Sequence, residues 1–231
     1  MPAGAYAACR RGPGVIAMLV SLAALTAPAH AQGGSFSLSY APRASGGALQ
    51  YPLRLGVLDA RDGRTMPFHL QSDAALREPV SQALADMVFV ELKASGLFAE
   101  VRRIREPAPQ GADQAALVAL RQKHGVDLLM LTDVTDLNMR REKEDMPTVH
   151  DFRRITPEFK VIVEAGWVGR LIYPDQGVVV WGDAVSGKAV ELAPTGTLAV
   201  DRIGALTRQA VASGMNDMRM LMTRFGKRMA P

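Results

Sequence analysis

Apolar residues recur along this chain with several different periods, and each period predicts a different kind of element. From Val15 to Thr26, twelve residues are apolar or near-apolar without any alternation. From Leu53 to Asp59 the pattern LRLGVLD alternates, as a strand does. After Pro79, which suits a first helical turn, Val80, Leu84, Met87, Val88 and Leu92 recur at three-to-four spacing. Gly96 follows as the residue that ends this helix. Phe98 to Ile104 predicts a second strand. Asp113 can cap a helix running through Leu117 and Leu120 to His124, closed by Gly125. Val126 to Leu137 is aliphatic on both faces at first and alternating later, a third strand. Phe159–Tyr173 and Val178–Val190 flank Pro174-Asp175-Gln176-Gly177, whose turn chemistry predicts a hairpin. The last periodic stretch, Leu198 to Met229, places Ile203, Leu206, Ala210, Met218, Leu221, Met222, Phe225 and Met229 on one side of a helix. Gly204 and Gly214 weaken that helix, and Gly214 is a candidate break.

The resulting order is β-α-β-α-β-β-β-α. Each helix has one apolar stripe to bury, so an α+β fold follows, an α/β sandwich with one mixed sheet of about five strands and helices packed against it. Three connecting segments carry no period. Gln32–Pro52 is rich in Gly, Ser, Ala and Pro and predicts a flexible lead-in. Asp59–Pro67 is polar and turn-prone, and Arg140–Pro157 is a charged loop broken at Met146-Pro147.

The Val15–Thr26 run changes the picture most. Arg10 and Arg11 precede it and Ala29-His30-Ala31 closes it, which is the composition of a secretory leader cleaved between Ala31 and Gln32. The run is too short for a permanent membrane helix. Residues 1–31 are thus a predicted signal peptide, 32–52 the lead-in and 53–231 a single domain, with the protein exported to a bacterial periplasm. Gly12-Pro13 stands where twin-arginine export expects an apolar pair, which favours Sec export. The only cysteine, Cys9, lies before the apolar run, so lipid attachment and thiol chemistry are not expected. Without the leader, 25 basic residues face 23 acidic ones, well mixed, so no footprint for nucleic acid follows. Export also removes ATP and nicotinamide cofactors from the expected partners.

Candidate chemistry is sparse. Gly182–Ala189, GDAVSGKA, comes within one residue of a phosphate-binding loop, but Ala189 fills the hydroxyl position and a strand continues where a helix is required. Gly187 then marks a bulge or a turn. Asp145, His150 and Asp151, near Glu142 and Glu144, match no metal-ligand spacing and alternate with cations. His69 and His124 stand alone, and His124 suits the C-terminal end of a helix dipole. Asp59, Arg61, Asp62 and Arg64 lie just past the C-terminal end of the first strand, where α/β sheets place ligands. Trp167 and Trp181 share the hairpin, and a tight turn would set Trp181 opposite Arg170 for a cation–π contact.

The segments LGVLDARDGR, LKASGLFAEV, RQKHGVDLLMLTDVTDL and VGRLIYPDQGVVVWGDAVSG resemble the superfamily of bacterial envelope proteins built like the amino-terminal domain of TolB, which includes curli-secretion and penicillin-binding-protein activator lipoproteins. The resemblance spans Leu53 to Gly187 and rests on turns and core positions. Curli-type members carry a lipidated cysteine where this chain has Gln32. Arg140–Pro157 cannot supply the apolar strand face of a membrane barrel. The resemblance implies a non-enzymatic periplasmic adaptor or assembly factor, using no cofactor or metal, that binds an envelope protein through a sheet edge or the terminal helix. The alternative is a small-ligand or signalling module with Asp59, Arg61, Asp62 and Arg64 as its site. Met229 and the basic end of the last helix are expected to face the partner, and a dispersed-residue hydrolase has no motif in its favour.

Overall fold

Two crossovers in opposite directions organise the sheet. The computed structural model describes residues 35–39, 41–42, 51–65, 76–109, 113–143, 159–194 and 196–229, with side chains as far as 224. The predicted leader, His69, residues 144–158, and the side chains of Phe225 and Met229 lie outside the described residues. Strand β1 (Tyr51–Asp59) pairs in parallel with both β3 (Phe98–Pro107) and β4 (Leu128–Lys143). A two-residue strand, β2 (Arg61–Asp62), pairs with β4, and β5 (Phe159–Tyr173) and β6 (Val178–Ala193) add antiparallel strands. The order is β3-β1-β4-β5-β6, with β2 beside β4. Helix α1 (Val80–Ser95) connects β1 outward to β3, and α2 (Gln114–His124) connects β3 back across β1 to β4. Right-handed crossovers in opposite directions put their helices on opposite faces. The core divides accordingly.

On one face Leu84, Met87, Val88 and Leu92 of α1 join Leu206, Val211, Met215 and Met218 of the long α3 (Val200–Met229) over Val57, Met130 and Trp167. On the other, Leu117 and Leu120 of α2 cover Leu58, Ile104, Leu129, Leu131 and Ile172. Local signals behave as predicted at α1, whose C-cap Gly96 has φ 66°, and at α2. Asp113 there accepts hydrogen bonds from the amides of Ala115 and Ala116, at 3.1 and 3.2 Å.

Four expectations are corrected. The lead-in is not loose throughout, because Phe36 and Leu38 are buried and pack into the core. Their alternation with Ser37 and Ser39 presents both apolar side chains to one surface. The loop expected from Arg140 to Pro157 does not begin at Arg140, since residues 140–143 continue β4 opposite Lys160–Ile162 and Phe159. Charge is tolerated there because Arg140 reaches Glu164 on β5 at 3.2 Å. Gly214 does not break α3. A Cβ at that position would stand 2.4 Å from Cη2 of Trp167, so glycine admits the indole. Gly187 is neither turn nor bulge. It lies mid-strand, where the backbone of α3 at Ala210 and Gly214 presses directly on β6.

Candidate functional site

The charged turn after β1 separates into unlike parts. Asp59 turns toward α1 and pairs with Arg103, a nearly buried side chain that also donates to Asp86 at 2.6 Å. This ties β1, β3 and α1 together and leaves Asp59 committed to structure. Arg61 reaches Asp133 on β4, donating through Nη2 at 2.9 Å, while Arg170 of β5 donates to the same carboxylate. Burial alone would raise the Asp133 carboxyl, yet the two guanidiniums hold it below the ordinary carboxylate value. Asp62 and Arg64 pair with each other at 2.8 Å, and that hydrogen bond likewise lowers the Asp62 carboxyl. The four residues therefore do not converge on one site. α3 ends at Met229, whose side chain lies outside the described residues.

Trp181 does not meet Arg170. A register shift at Leu171/Ile172 leaves Val180 unmatched, so Trp181 pairs with Leu171 and Arg170 with Gly182. Gly182 has no side chain to cover Arg170, which turns to Asp133 instead. Trp181 and Trp167 both bury their rings in the core, as packing predicts.

What sequence reasoning missed is an open sheet face. α3 covers one side of β5 and β6. On the other side, Gly182, Ala184, Ser186, Lys188, Val190 and Leu192 of β6 are all exposed. Val190 and Leu192 leave 46 % and 53 % of their surface to water. Among the described residues β6 is also the sheet's last strand, sixteen residues long, with no neighbour beyond it. Such an edge offers a row of main-chain donors and acceptors to an incoming strand. Lys188 tempers that offer with a charge and pairs with Glu164 at 3.4 Å.

Beside Lys188, a bulge between Val134 and Asp136 opens a depression of about 390 Å³. Thr135, Asp136, Glu164, Gly166, Ser186 and Lys188 line it. It presents hydroxyls, two carboxylates and an ammonium group, but no paired nucleophile and base. Among the described residues no group of three or more His, Cys, Asp or Glu side chains could hold a metal ion, and no helix is long and apolar enough to cross a membrane. GDAVSGKA continues as strand through Ala193, without the helix a phosphate loop needs.

No protein-family model and no curated protein matches the chain. Solved structures do. Protein XCC0632 from Xanthomonas campestris, described under the family model DUF330, superposes with a TM-score of 0.53 at 13 % identity, covering 84 % of this chain and 96 % of that one. A neuraminyllactose-binding hemagglutinin homolog from Helicobacter pylori matches at 0.48 and 12 % identity, over 84 % and 97 % of the two chains. A PelC dodecamer from Paraburkholderia phytofirmans matches at 0.36 and 13 % identity, over 74 % and 94 %. The chain thus shares the fold of XCC0632 over 84 % of its own length and 96 % of that chain. At this identity the likeness concerns fold alone.

Proposed function

We propose that this is a non-enzymatic protein of the bacterial envelope, of the TolB-amino-terminal-like type, that acts in the periplasm by binding another envelope protein. The observation that carries the reading is the exposed β6 edge, with Val190 and Leu192 beside an uncovered sheet face. An apolar patch on a long edge strand is suited to a partner's strand, since main-chain hydrogen bonds supply affinity and alternate side chains supply selectivity. The basic–apolar–A-x-A leader supports export.

The test places a photo-crosslinking residue at Val190, at Leu192 and, as a control, at exposed Gln122 of α2. In living cells, the two β6 positions should give one discrete adduct that Gln122 does not. No adduct from β6, or the same one from all three positions, refutes the reading. Intact mass of the extracted protein should correspond to a chain starting at Gln32 without acyl groups. A species retaining Cys9 contradicts that processing.

The depression beside Thr135 favours a second reading, a small-ligand module of the periplasm. Its place is the bulge of β4 rather than the Asp59–Arg64 turn, whose charges are already paired. A thermal-shift screen with envelope metabolites separates the two. A ligand that raises the melting temperature, and loses its effect in Lys188→Ala, favours the module over the adaptor.

A further inference from the structure

The segment Ser35–Ser39 lies on the rest of the fold in the manner of a bound peptide. Phe36 and Leu38 are buried, whereas Ser35 and Ser39 are exposed. Phe36 occupies a notch made by Gly204 of α3, where a Cβ would come within 2.6 Å of the ring. Leu38 shares an apolar cavity wall with Val80 and Leu84 of α1 and Val211 of α3. The main chain is held at two carbonyl oxygens. The Arg77 amide donates to that of Phe36 at 3.1 Å, and the Arg208 guanidinium to that of Ser37 at 3.1 Å. A single isolated bridge, Phe36 with Leu76, is its only strand-like pairing among the described residues.

This arrangement separates what is general from what is selective. Any residue offers a carbonyl to Arg77 and Arg208, so the identity of the occupant is read at the Phe36 and Leu38 positions and at Ser35, whose hydroxyl accepts from Arg77 Nε at 3.1 Å. The stretch joining the segment to β1, YAPRASGGALQ, is rich in Gly, Ala and Ser.

We propose that the groove between the start of α1 and α3 is a recognition site for an extended segment with the order aromatic, small polar, aliphatic. The chain's own Phe36–Leu38 is its resident occupant, and a partner segment of the same pattern takes its place. This rests on the reading that the protein binds another envelope protein, but not on β6 being the contact. A resident occupant lowers the apparent affinity for any competitor by the fraction of time the groove is closed.

The test uses the mature chain, in wild-type form and as Phe36→Ser/Leu38→Ser, with a fluorescent peptide of residues 34–42. By fluorescence anisotropy the double variant should bind the peptide saturably, and the wild type at least about tenfold more weakly. Changing the peptide's own Phe and Leu to Ser should abolish binding, as should Gly204→Ala added to the double variant. Equal binding by wild type and variant overturns the proposal. So does a variant that unfolds cooperatively yet binds nothing. A variant that no longer folds cooperatively overturns it as well, because the segment is then part of the core rather than its occupant. Crosslinking from Val190 and Leu192 can fail while the peptide binds, and the reverse, so the two readings fall separately.

Discussion

Replacing Gly187 by alanine puts one methyl group where the structure has no room for it. A Cβ built there lies 2.0 Å from the carbonyl oxygen of Ala210, 2.5 Å from the amide nitrogen of Gly214 and 3.1 Å from the carbonyl carbon of Ala210. Ordinary contact begins near 3.4 Å, so strand and helix must separate by roughly 1.4 Å at this point. Every colliding atom is backbone, and no side-chain rotation relieves the clash. Lifting α3 also draws Ala210, Met215 and Met218 off the sheet and disturbs Gly214 over Trp167. Overpacking typically costs about 1–3 kcal/mol, and a clash with no rotamer escape belongs at the upper end. Glycine-to-alanine exchange returns about 0.4–1 kcal/mol through the unfolded chain. A net loss of about 2–2.6 kcal/mol remains, which for a chain of this size lowers Tm by about 4–10 °C. Gly182→Ala is the matched control on the same strand, because its Cβ would meet Arg170 and Val179 at an ordinary 3.5 Å. It should melt within about 2 °C of wild type or slightly above, as a surface exchange worth about 0.5 kcal/mol does. Thermal unfolding of the mature chain, followed by circular dichroism, compares the three proteins. If Gly187→Ala melts together with Gly182→Ala, α3 does not rest on β6 as described.

The α3 stripe gives a second contrast. Met218 is fully buried while Leu221 is only partly so, hence Met218→Ala should cost about 2–5 kcal/mol and Leu221→Ala clearly less; the reverse order in urea unfolding would turn the helix about its axis. Asp133→Asn should cost about 1.5–3 kcal/mol at neutral pH, the range for hydrogen bonds to a charged group. Because the folded carboxyl titrates below its ordinary value of 3.8, that difference should hold above this value and shrink as pH falls through the lower folded value. A difference constant from pH 7 to pH 2 would remove Asp133 from the pairing with Arg61 and Arg170. Lys188 pairs with Glu164 on a strand face, so isothermal titration should find no ATP binding; micromolar affinity lost in Lys188→Ala would overturn the strand reading of GDAVSGKA.

Elements with their own local punctuation were legible from sequence. Pro79 and Gly96 bracket α1, Asp113 and Gly125 bracket α2, and Gly177, with φ 63°, closes the hairpin. Each carries its instruction within a few residues. The misread positions depend on partners far away in the chain. Phe36 is held against Gly204, and two apolar residues set among serines form too short a pattern to announce burial. Gly187 and Gly214 look like weaknesses to any measure of local propensity. Their value lies in a helix backbone and an indole ring that only the fold brings close. The charged end of β4 reads as loop until Glu164 faces Arg140 across the sheet.

The candidate site follows the same logic. Arg61, Asp133 and Arg170 form one cluster from three strands, so the turn that bears Arg61 contained no sign of its partners. On β6 the difficulty differs, because Gly182, Ala184, Ser186, Lys188, Val190 and Leu192 share a face yet mix small, charged and aliphatic side chains. Alternation identifies that face without saying whether water or protein lies against it. The helix α3 lies against the opposite face of β6, which is why the exposed edge, rather than any motif, carries the functional proposal.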